Sequence, residues 1–263
     1  MPLFVPVRLP GHPAAVLPLD ALEVRIVPSR PPDADLRAAG APALARLRAD
    51  RPKLHDGRLL VLDRLDGDRL DVREGSYVDH VAIGLAVAGD PAAREQAFAL
   101  AGGDPLRDGT GRSAGIGVSV ACVVGGGTGL LLGRRRPDLA VEGGFWHVAP
   151  SGMVEAAPER PLHATAAREC LEELGIVRPP GAFSLLGVGW DLRRLTPEIA
   201  LRLDLDAGAE VVGRLAADEF TEGRVWPLDD LAGFWAAHGP EALTPAAAAA
   251  IALLEAALGD DGS

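Results

Sequence analysis

Three glutamates and one arginine stand close together in a segment with helical periodicity, and their types and spacing could support chemistry. The acids are Glu169, Glu172 and Glu173, with Arg168 beside them. At about 100° per residue the three acids fall within about a quarter-turn of one another. Nearly opposite them lies the apolar stripe that we expect to pack on the core: Ala164, Ala167, Leu171 and Leu174. The pattern predicts converging carboxylates on the face opposite the core.

Such a group of acids repels itself unless a positive charge compensates it. Glu169 and Glu173 are four residues apart, a like-charge spacing that costs an isolated helix about 0.2–0.5 kcal/mol. Arg168 can pair with Glu172 at the same spacing, but one arginine does not neutralise three carboxylates. A hard divalent cation can, because Mg²⁺ prefers a few carboxylate oxygens together with waters and phosphate oxygens. The alternative is that these acids form the solvated face of a surface helix.

The ends of this helix are marked in the sequence. Pro161 suits the first helical turn, where its missing N–H is not needed, and Gly175 suits the left-handed residue that follows a helix. The helix is therefore predicted over residues 161–174. A short strand over residues 145–148 and the loop Pro150-Ser151-Gly152 precede it.

The helical segment resembles the second half of the box that marks the Nudix hydrolase superfamily. Residues 168–176 read Arg-Glu-Cys-Leu-Glu-Glu-Leu-Gly-Ile and match that box position by position, with Cys170 as an unusual occupant of an aliphatic position. Upstream, residues 146–155 look like the strand and loop that precede the helix in this family. The box runs from Gly152 to Ile176 and is divergent, because each of the two spacings that flank Glu159 is one residue longer than in the family. The loop that contains Ala156-Ala157-Pro158 is thus lengthened, and the role of Glu159 stays open.

The resemblance implies an α/β (α+β) fold, the Nudix α/β/α sandwich with a mixed sheet, over residues 113–263. Residues 1–112 are expected to form a smaller mixed α/β N-terminal domain, and residues 102–117, rich in glycine and charge, are taken as the linker. The N-terminal domain is predicted to hold a helix over 35–50, a hairpin around Asp66-Gly67-Asp68 and helical or buried segments over 77–87 and 91–100. We expect it to pack on the Nudix domain and to line the cleft or a dimer contact, which leaves a homodimer open.

The resemblance also implies a reaction, hydrolysis of the pyrophosphate bond of a nucleoside diphosphate linked to another moiety or of a similar small diphosphate. Glu169, Glu172 and Glu173 would hold Mg²⁺ (or Mn²⁺), which would bridge the diphosphate and lower the pKa of an attacking water. Arg168 would orient the acids, and it forms the predicted catalytic pair with Glu172, which could be a ligand or the general base. The base could instead come from a later segment, where the candidates are Glu198, Asp218, Glu219 and Glu222.

Three further residues are predicted to contact the substrate: Arg135, Gly152 and Glu155. Arg135 is the middle one of three arginines that follow the first predicted hairpin, and a guanidinium suits a phosphate. The competing interpretation is that these arginines keep an exposed strand end soluble. The residues past Ile176 that would indicate ADP-ribose or dinucleoside polyphosphates are not found, so the substrate is unassigned.

Composition narrows the partners and the location. The net charge of −11 disfavours nucleic acid and anionic membranes. The resemblance implies a small-molecule diphosphate as the partner. No apolar run reaches the roughly 18 residues that a membrane-spanning helix needs. With only Cys122 and Cys170 a disulfide framework is excluded, and no export signal is visible at the start. We therefore expect a cytoplasmic protein.

Two other functions compete with hydrolysis. A module that senses a nucleotide or sugar phosphate could use the same fold without turnover, and the altered loop is compatible with it. An isomerase of isoprenoid diphosphates would resemble a family with a catalytic cysteine and glutamate pair, but Cys122 falls in a predicted core strand. The intact set of glutamates favours the hydrolase.

Overall fold

The structure is a computed structural model that describes residues 4–7, 9, 16–50, 54, 56–139, 141–156 and 159–260. Within these residues the helices are α1 (Ala34–Asp50), α2 (Tyr77–Gly89), α3 (Pro91–Leu100), α4 (Pro161–Leu174), α5 (Leu231–His238) and α6 (Pro245–Asp260). The strands are β1 (Phe4–Val7), β2 (Leu17–Pro18), β3 (Glu23–Ile26), β4 (Arg58–Asp66), β5 (Arg69–Ser76), β6 (Gly117–Val124), β7 (Gly129–Arg135), β8 (Trp146–Val148), β9 (Ser151–Met153), β10 (Ser184–Asp191), β11 (Thr196–Asp204) and β12 (Phe220–Pro227).

A mixed sheet of nine strands forms the centre of the molecule. Its main path runs β1-β10-β11-β6-β7-β12, with β2 beside β10, β8 beside β7 and β9 beside β6. Strand β6 is buried along its whole length, as its continuous apolar run requires. It pairs in parallel with β11 and antiparallel with β7 and β9. The short strand β9 was expected as a loop, and it places Ser151 and Gly152 at the edge of β6.

Helices cover both faces of this sheet, which confirms the predicted sandwich. On one face α4 packs through Leu162, Ala166 and Cys170. On the other face α5 and α6 contribute a second apolar cluster that includes Phe234 and Ile251. Two cores on opposite sides of one sheet are the arrangement that a helix–sheet–helix layering produces.

A second sheet of three strands, in the order β3-β5-β4, lies with α1, α2 and α3 in the first part of the chain. The predicted hairpin is confirmed as β4 and β5, which pair antiparallel. This sheet is joined to the larger one through backbone hydrogen bonds, since Leu60 N–H donates to the Val154 carbonyl at 2.8 Å and Ile116 N–H donates to the Leu60 carbonyl at 3.0 Å. Leu60 also belongs to the same buried cluster as Leu162 of α4.

The segment before β6, predicted as a linker, is packed into the molecule. Arg112, Ser113 and Ala114 are buried, and the Arg112 guanidinium donates to the carbonyls of Leu195 at 2.6 Å and Asp108 at 2.8 Å. Strands β1 and β2, although they precede the small sheet in the chain, pair with β10 of the large one. The division of the chain at residue 112 stays a prediction. No helix in the described part of the chain has the length and apolar character needed to cross a bilayer.

Candidate active site

Helix α4 has the ends that its sequence predicts. Pro161 occupies the first position, and Gly175 adopts the left-handed conformation with φ 64°. The Gly175 N–H donates to the Leu171 carbonyl at 2.9 Å and thereby closes the helix. These local features position the four charged residues of the helix.

The face that α4 turns toward the core differs from the one expected. Leu171 is 51% exposed, while Glu169 and Glu173 are buried. The expectation that the Leu171 stripe packs on the core, with the acids opposite, is therefore wrong. One exposed leucine costs little, whereas the buried face runs over β9 and β6, where Glu173 finds a backbone donor and Glu169 reaches a cavity. A helical wheel shows only where apolar residues lie on the helix, and it does not show a backbone donor or a cavity that other parts of the chain supply.

Glu173 is the most deeply buried acid of the helix, at 1% exposure. The Ser151 N–H of β9 donates to Glu173 Oε1 at 3.0 Å, and no described residue hydrogen-bonds to Oε2. Burial raises the pKa of this carboxyl well above its ordinary value, and the nearby Glu219 and Glu169 raise it further. A buried carboxylate oxygen without a donor is a site at which a cation would be stabilised.

Glu169 approaches the backbone of Gly152 so closely that a β-carbon there would lie 1.8 Å from Glu169 Oε1. The Arg168 Nη2 group donates to the same oxygen at 2.6 Å. Burial raises the pKa of Glu169 to about 7, against the lowering effect of Arg168. Gly152 thus has a steric role in placing Glu169, in addition to the substrate contact predicted for it.

Arg168 is shared among the acids around it. Its Nη1 group donates to Glu172 Oε2 at 2.6 Å, and Nη2 lies 3.5 Å from Glu155 Oε1. The side chains of Glu172 and Glu155 are 56% and 63% exposed. Arg168 therefore joins the buried acid Glu169 to the two exposed acids of the predicted site.

A cavity of about 530 Å³ lies beside these residues. Six of the predicted site residues line it: Arg135, Gly152, Glu155, Arg168, Glu169 and Glu172. Glu173 is not on its wall. The first part of the chain also contributes to the lining, through Arg58, Tyr77 and His80. The expectation that this region lines the cleft is met by the position of these side chains.

Arg135 is the member of the arginine triplet that lines the cavity. Arg134 donates to the Gly144 carbonyl, and Arg136 pairs with Asp138. The Nε atom of Arg135 is buried and has no hydrogen-bond partner within the part of the chain that the structure describes. Its charge lowers the pKa of Glu173, Glu219, Glu142 and Glu198. Arg135 is thus a cation among carboxylates, with donor capacity left for an anion.

Among the later acids considered as a base, Glu198 and Glu219 line the cavity and Asp218 and Glu222 do not. Glu222 forms ion pairs with arginines on the outer surface. Burial raises the pKa of Glu219, and Asp218 and Glu172 raise it further. Glu198 accepts a hydrogen bond from Ser119 Oγ at 2.5 Å, and burial raises its pKa to about 8. The fold therefore reduces four candidates to two.

Several cavity residues were not predicted from the sequence. Glu142, Asp191 and Arg194 come from loop ends with no motif around them, and Tyr77 and His80 begin α2. Glu142 has a left-handed backbone conformation with φ 55°, which is uncommon for a residue with a side chain. No local pattern marks these positions, because they meet only after the two sheets have joined.

Residues 115–247, a little over half of the chain, match the NUDIX domain family. The chain belongs to this family. Membership confirms the resemblance seen in the box and makes the protein a Nudix-type hydrolase of the pyrophosphohydrolase class.

Several solved structures are similar to about half of the chain. A MutT protein from Methanosarcina mazei Go1 is 27% identical, with 56% of this chain and 95% of that chain covered and a TM-score of 0.42. A MutT NUDIX hydrolase from Burkholderia pseudomallei is also 27% identical, with coverages of 53% and 97% and a TM-score of 0.38. The NUDIX domain of Shewanella oneidensis NrtR, solved as a complex with ADP ribose, is 18% identical, with coverages of 54% and 87% and a TM-score of 0.40. Comparison with curated proteins finds no match.

The Nudix acids fit a divalent cation by their chemistry. Within the described residues no three His, Cys, Asp or Glu side chains already stand together as a metal-binding group, and Arg168 hydrogen-bonds to Glu169 and Glu172. Nevertheless Glu173 Oε2 is buried with no hydrogen-bond partner among the described residues, and repulsion from Glu219 raises the pKa of both Glu169 and Glu173. Carboxylates that repel one another in a buried place are the donors that Mg²⁺ or Mn²⁺ prefers.

Proposed function

We propose that this Nudix protein hydrolyses the pyrophosphate bond of a small diphosphate-linked molecule, such as a nucleoside diphosphate bearing a second moiety, with Mg²⁺ or Mn²⁺. The observation that supports it most directly is that Glu169, Glu172 and Arg135 line one cavity, with Glu173 buried on the same helix as the two other acids. Acids that can hold a cation and an arginine that can hold a phosphate are thus within reach of the same ligand.

Glu169 and Glu173 are the proposed cation ligands, with Glu172 as the third. A bound cation would neutralise charge on the diphosphate and lower the pKa of the attacking water. The chain prepares these ligands through Gly152, which leaves room for Glu169, and through the Ser151 N–H, which orients Glu173. Arg168 donates hydrogen bonds to Glu169 and Glu172 and would orient both acids.

Arg135 is the proposed phosphate-binding residue. Its buried Nε lacks a partner among the described residues, and a guanidinium presents its donors in a fork that matches two phosphate oxygens. Because carboxylates surround it, its charge also lowers the cost of keeping those acids ionised beside the substrate. Glu155, on the rim of the cavity, is the proposed contact for the part of the substrate nearest solvent.

Glu219 is the proposed general base. It lines the cavity, and its carboxyl interacts with Glu172 and with the buried Glu173. A carboxylate whose pKa is raised toward neutrality accepts a proton from water more readily than an ordinary one. Glu198 is the second candidate, since it lies on the same wall.

The test is a panel of ADP-ribose, NADH, coenzyme A, nucleotide sugars and nucleoside triphosphates, assayed with Mg²⁺ and with Mn²⁺ by detection of the phosphate-linked products. We expect turnover of at least one diphosphate, and a loss of at least about 100-fold in kcat for Glu173→Gln and Glu172→Gln. Glu95→Gln, on the exposed side of α3, is the matched control and should retain activity. Turnover that persists without a divalent cation would contradict the proposal.

The competing function, sensing without turnover, is favoured by one contact. Arg168 occupies carboxylate oxygens of both Glu169 and Glu172, as it would in a site that never takes up a cation. Calorimetry separates the two functions. A nucleotide that binds tightly with no product formed, and Mg²⁺ that does not bind at all, would support the sensor and overturn the hydrolase.

A further inference from the structure

We infer that the first turn of α2, through Tyr77 and His80, binds the uncharged polar group attached to the pyrophosphate and thereby sets substrate selectivity. The inference rests on the proposed function. It concerns the part of the cavity lining that comes from residues before the matched Nudix region, residues 115–247.

Helix α2 carries these two side chains to the cavity from the first part of the chain. Ser76 caps the helix by accepting a hydrogen bond from the Asp79 N–H at 3.2 Å, so its first turn is held at a defined place. Tyr77 and His80 both line the cavity, and their ring centroids lie 6.1 Å apart. Two rings on one helical turn form a single recognition surface.

The protonation of His80 follows from its contacts. The Gly115 N–H donates to His80 Nδ1 at 3.0 Å, while the Ser113 carbonyl lies 3.2 Å from the same nitrogen. A backbone N–H can only donate, so the shorter contact makes Nδ1 the acceptor and places the ring proton on Nε2. Burial lowers the pKa of His80 to about 4, which keeps the ring neutral at physiological pH.

Two donors on this wall have no partner among the described residues. No described residue hydrogen-bonds to His80 Nε2 or to the Tyr77 hydroxyl, and both side chains border the cavity. Burial raises the pKa of Tyr77, so its hydroxyl keeps its proton. Two neutral donors require an acceptor such as a carbonyl, a ring nitrogen or a hydroxyl oxygen.

The charges nearby exclude a further phosphate at this end. Arg194 packs its side chain against Gly84 of α2 and lies 3.7 Å from Glu142 Oε1, and Arg193 pairs with Glu142 and Asp191. The arginines are thus balanced by acids. A neutral polar ring, either a nucleobase or a sugar, is the class of group that this wall fits, and a cavity of about 530 Å³ has room for it beyond a pyrophosphate.

The test uses the full chain with Mg²⁺ and three substrates that share one pyrophosphate: ADP-glucose, UDP-glucose and ADP-ribose. The first pair differs in the base, and ADP-glucose and ADP-ribose differ in the sugar. His80→Asn keeps an acceptor at the Nδ1 position and removes the Nε2 donor, whereas His80→Gln can restore a donor at Nε2. Tyr77→Phe removes the hydroxyl alone. His238→Asn, a histidine outside this cavity, is the control.

We expect His80→Asn and Tyr77→Phe each to raise KM about fivefold, the ordinary effect of losing one neutral hydrogen bond, with kcat within about twofold of the wild type. His80→Gln should recover most of the loss. If the increase in KM differs between ADP-glucose and UDP-glucose, the two side chains contact the nucleobase. If it differs between ADP-glucose and ADP-ribose, they contact the sugar. Equal penalties for all three substrates with no rescue by His80→Gln, or unchanged KM, would overturn the inference. Thermal unfolding of each variant controls for damage to the fold.

The inference can fail separately from the proposed function. If the wild type turns over no compound of the full panel used to test the proposed function, the hydrolase proposal fails, and ADP-glucose, UDP-glucose and ADP-ribose are titrated by calorimetry instead. Weakened binding in His80→Asn and Tyr77→Phe would then still support the inference. Binding unaffected by either variant, or absent in the wild type, would refute it.

Discussion

The pH dependence of stability offers a direct test of how the cavity wall is built, through Glu198→Gln. Glu198 stands on β11 and accepts a hydrogen bond from Ser119. Glutamine retains that acceptor and removes the ionisable group, so the packing of the wall changes little. The other charged groups that act on Glu198 are Glu142 and Asp191, which raise its pKa, and Arg135, which lowers it.

The size of the effect follows from the pKa in each state. Burial raises the folded-state pKa of Glu198 from 4.5 to about 8. Between these two pH values the folded protein therefore retains a proton that the unfolded chain has already lost. The stability contributed by the protonated group is present below pH 4.5 and is lost as the pH rises toward 8. A difference of about 3.5 pH units corresponds to about 5 kcal/mol. Glu198 is only partly buried and borders the cavity, so solvent screening lowers this value and we expect about 2–3 kcal/mol.

The assay is urea unfolding of the wild type and Glu198→Gln between pH 4.5 and pH 8.5. The free energy of unfolding of the variant should rise by about 2–3 kcal/mol relative to the wild type across this range and level off above pH 8. Glu95→Gln, exposed on α3, controls for the loss of one negative charge. Parallel curves for the wild type and Glu198→Gln would refute the reasoning, because they would place the titration of Glu198 at its ordinary value.

Three further changes test other contacts. Gly152→Ala would place a β-carbon 1.8 Å from Glu169 Oε1. We therefore expect kcat to fall at least about tenfold, with an unchanged circular dichroism spectrum. Full activity would mean that Glu169 need not lie beside residue 152. Arg112→Met removes the hydrogen bonds to Leu195 and Asp108 and should lower the free energy of unfolding by about 3 kcal/mol in urea, and a loss below about 1 kcal/mol would show that the guanidinium is dispensable. Arg135→Gln should raise KM at least about tenfold, whereas a change confined to kcat would argue against phosphate binding by Arg135.

Much of the secondary structure can be predicted from local sequence. Helix α4 begins at Pro161 and ends before Gly175 as predicted, because a proline at the first turn and a left-handed glycine act within a few residues. Strand β6 follows from its β-branched apolar run. Strand β9 was missed, since three residues carry no periodicity and become a strand only by pairing with β6.

Part of the site could likewise be predicted from local sequence. Glu169, Glu172 and Arg135 were identified from the sequence, and they border one cavity. Glu173 was identified in the same way, and it is buried on the same helix as the two other acids. The orientation of α4 was predicted wrongly, because Glu169 and Glu173 are buried by partners on β9 that the helix does not contain. The choice of Glu198 and Glu219 over Asp218 likewise depends on where β11 and the residues before β12 lie.

The sequence by itself determined the acidic helix, its ends and its family, since these depend on neighbours along the chain. Only the tertiary structure decided which carboxylates are buried and which distant groups meet them. Hydrogen bonds from Leu60 to Val154 and from Ile116 to Leu60 join the two sheets, and this pairing brings α2 to the cavity. Contacts between residues so far apart in the chain arise from sheet pairing and core burial, and neither leaves a mark on the local pattern.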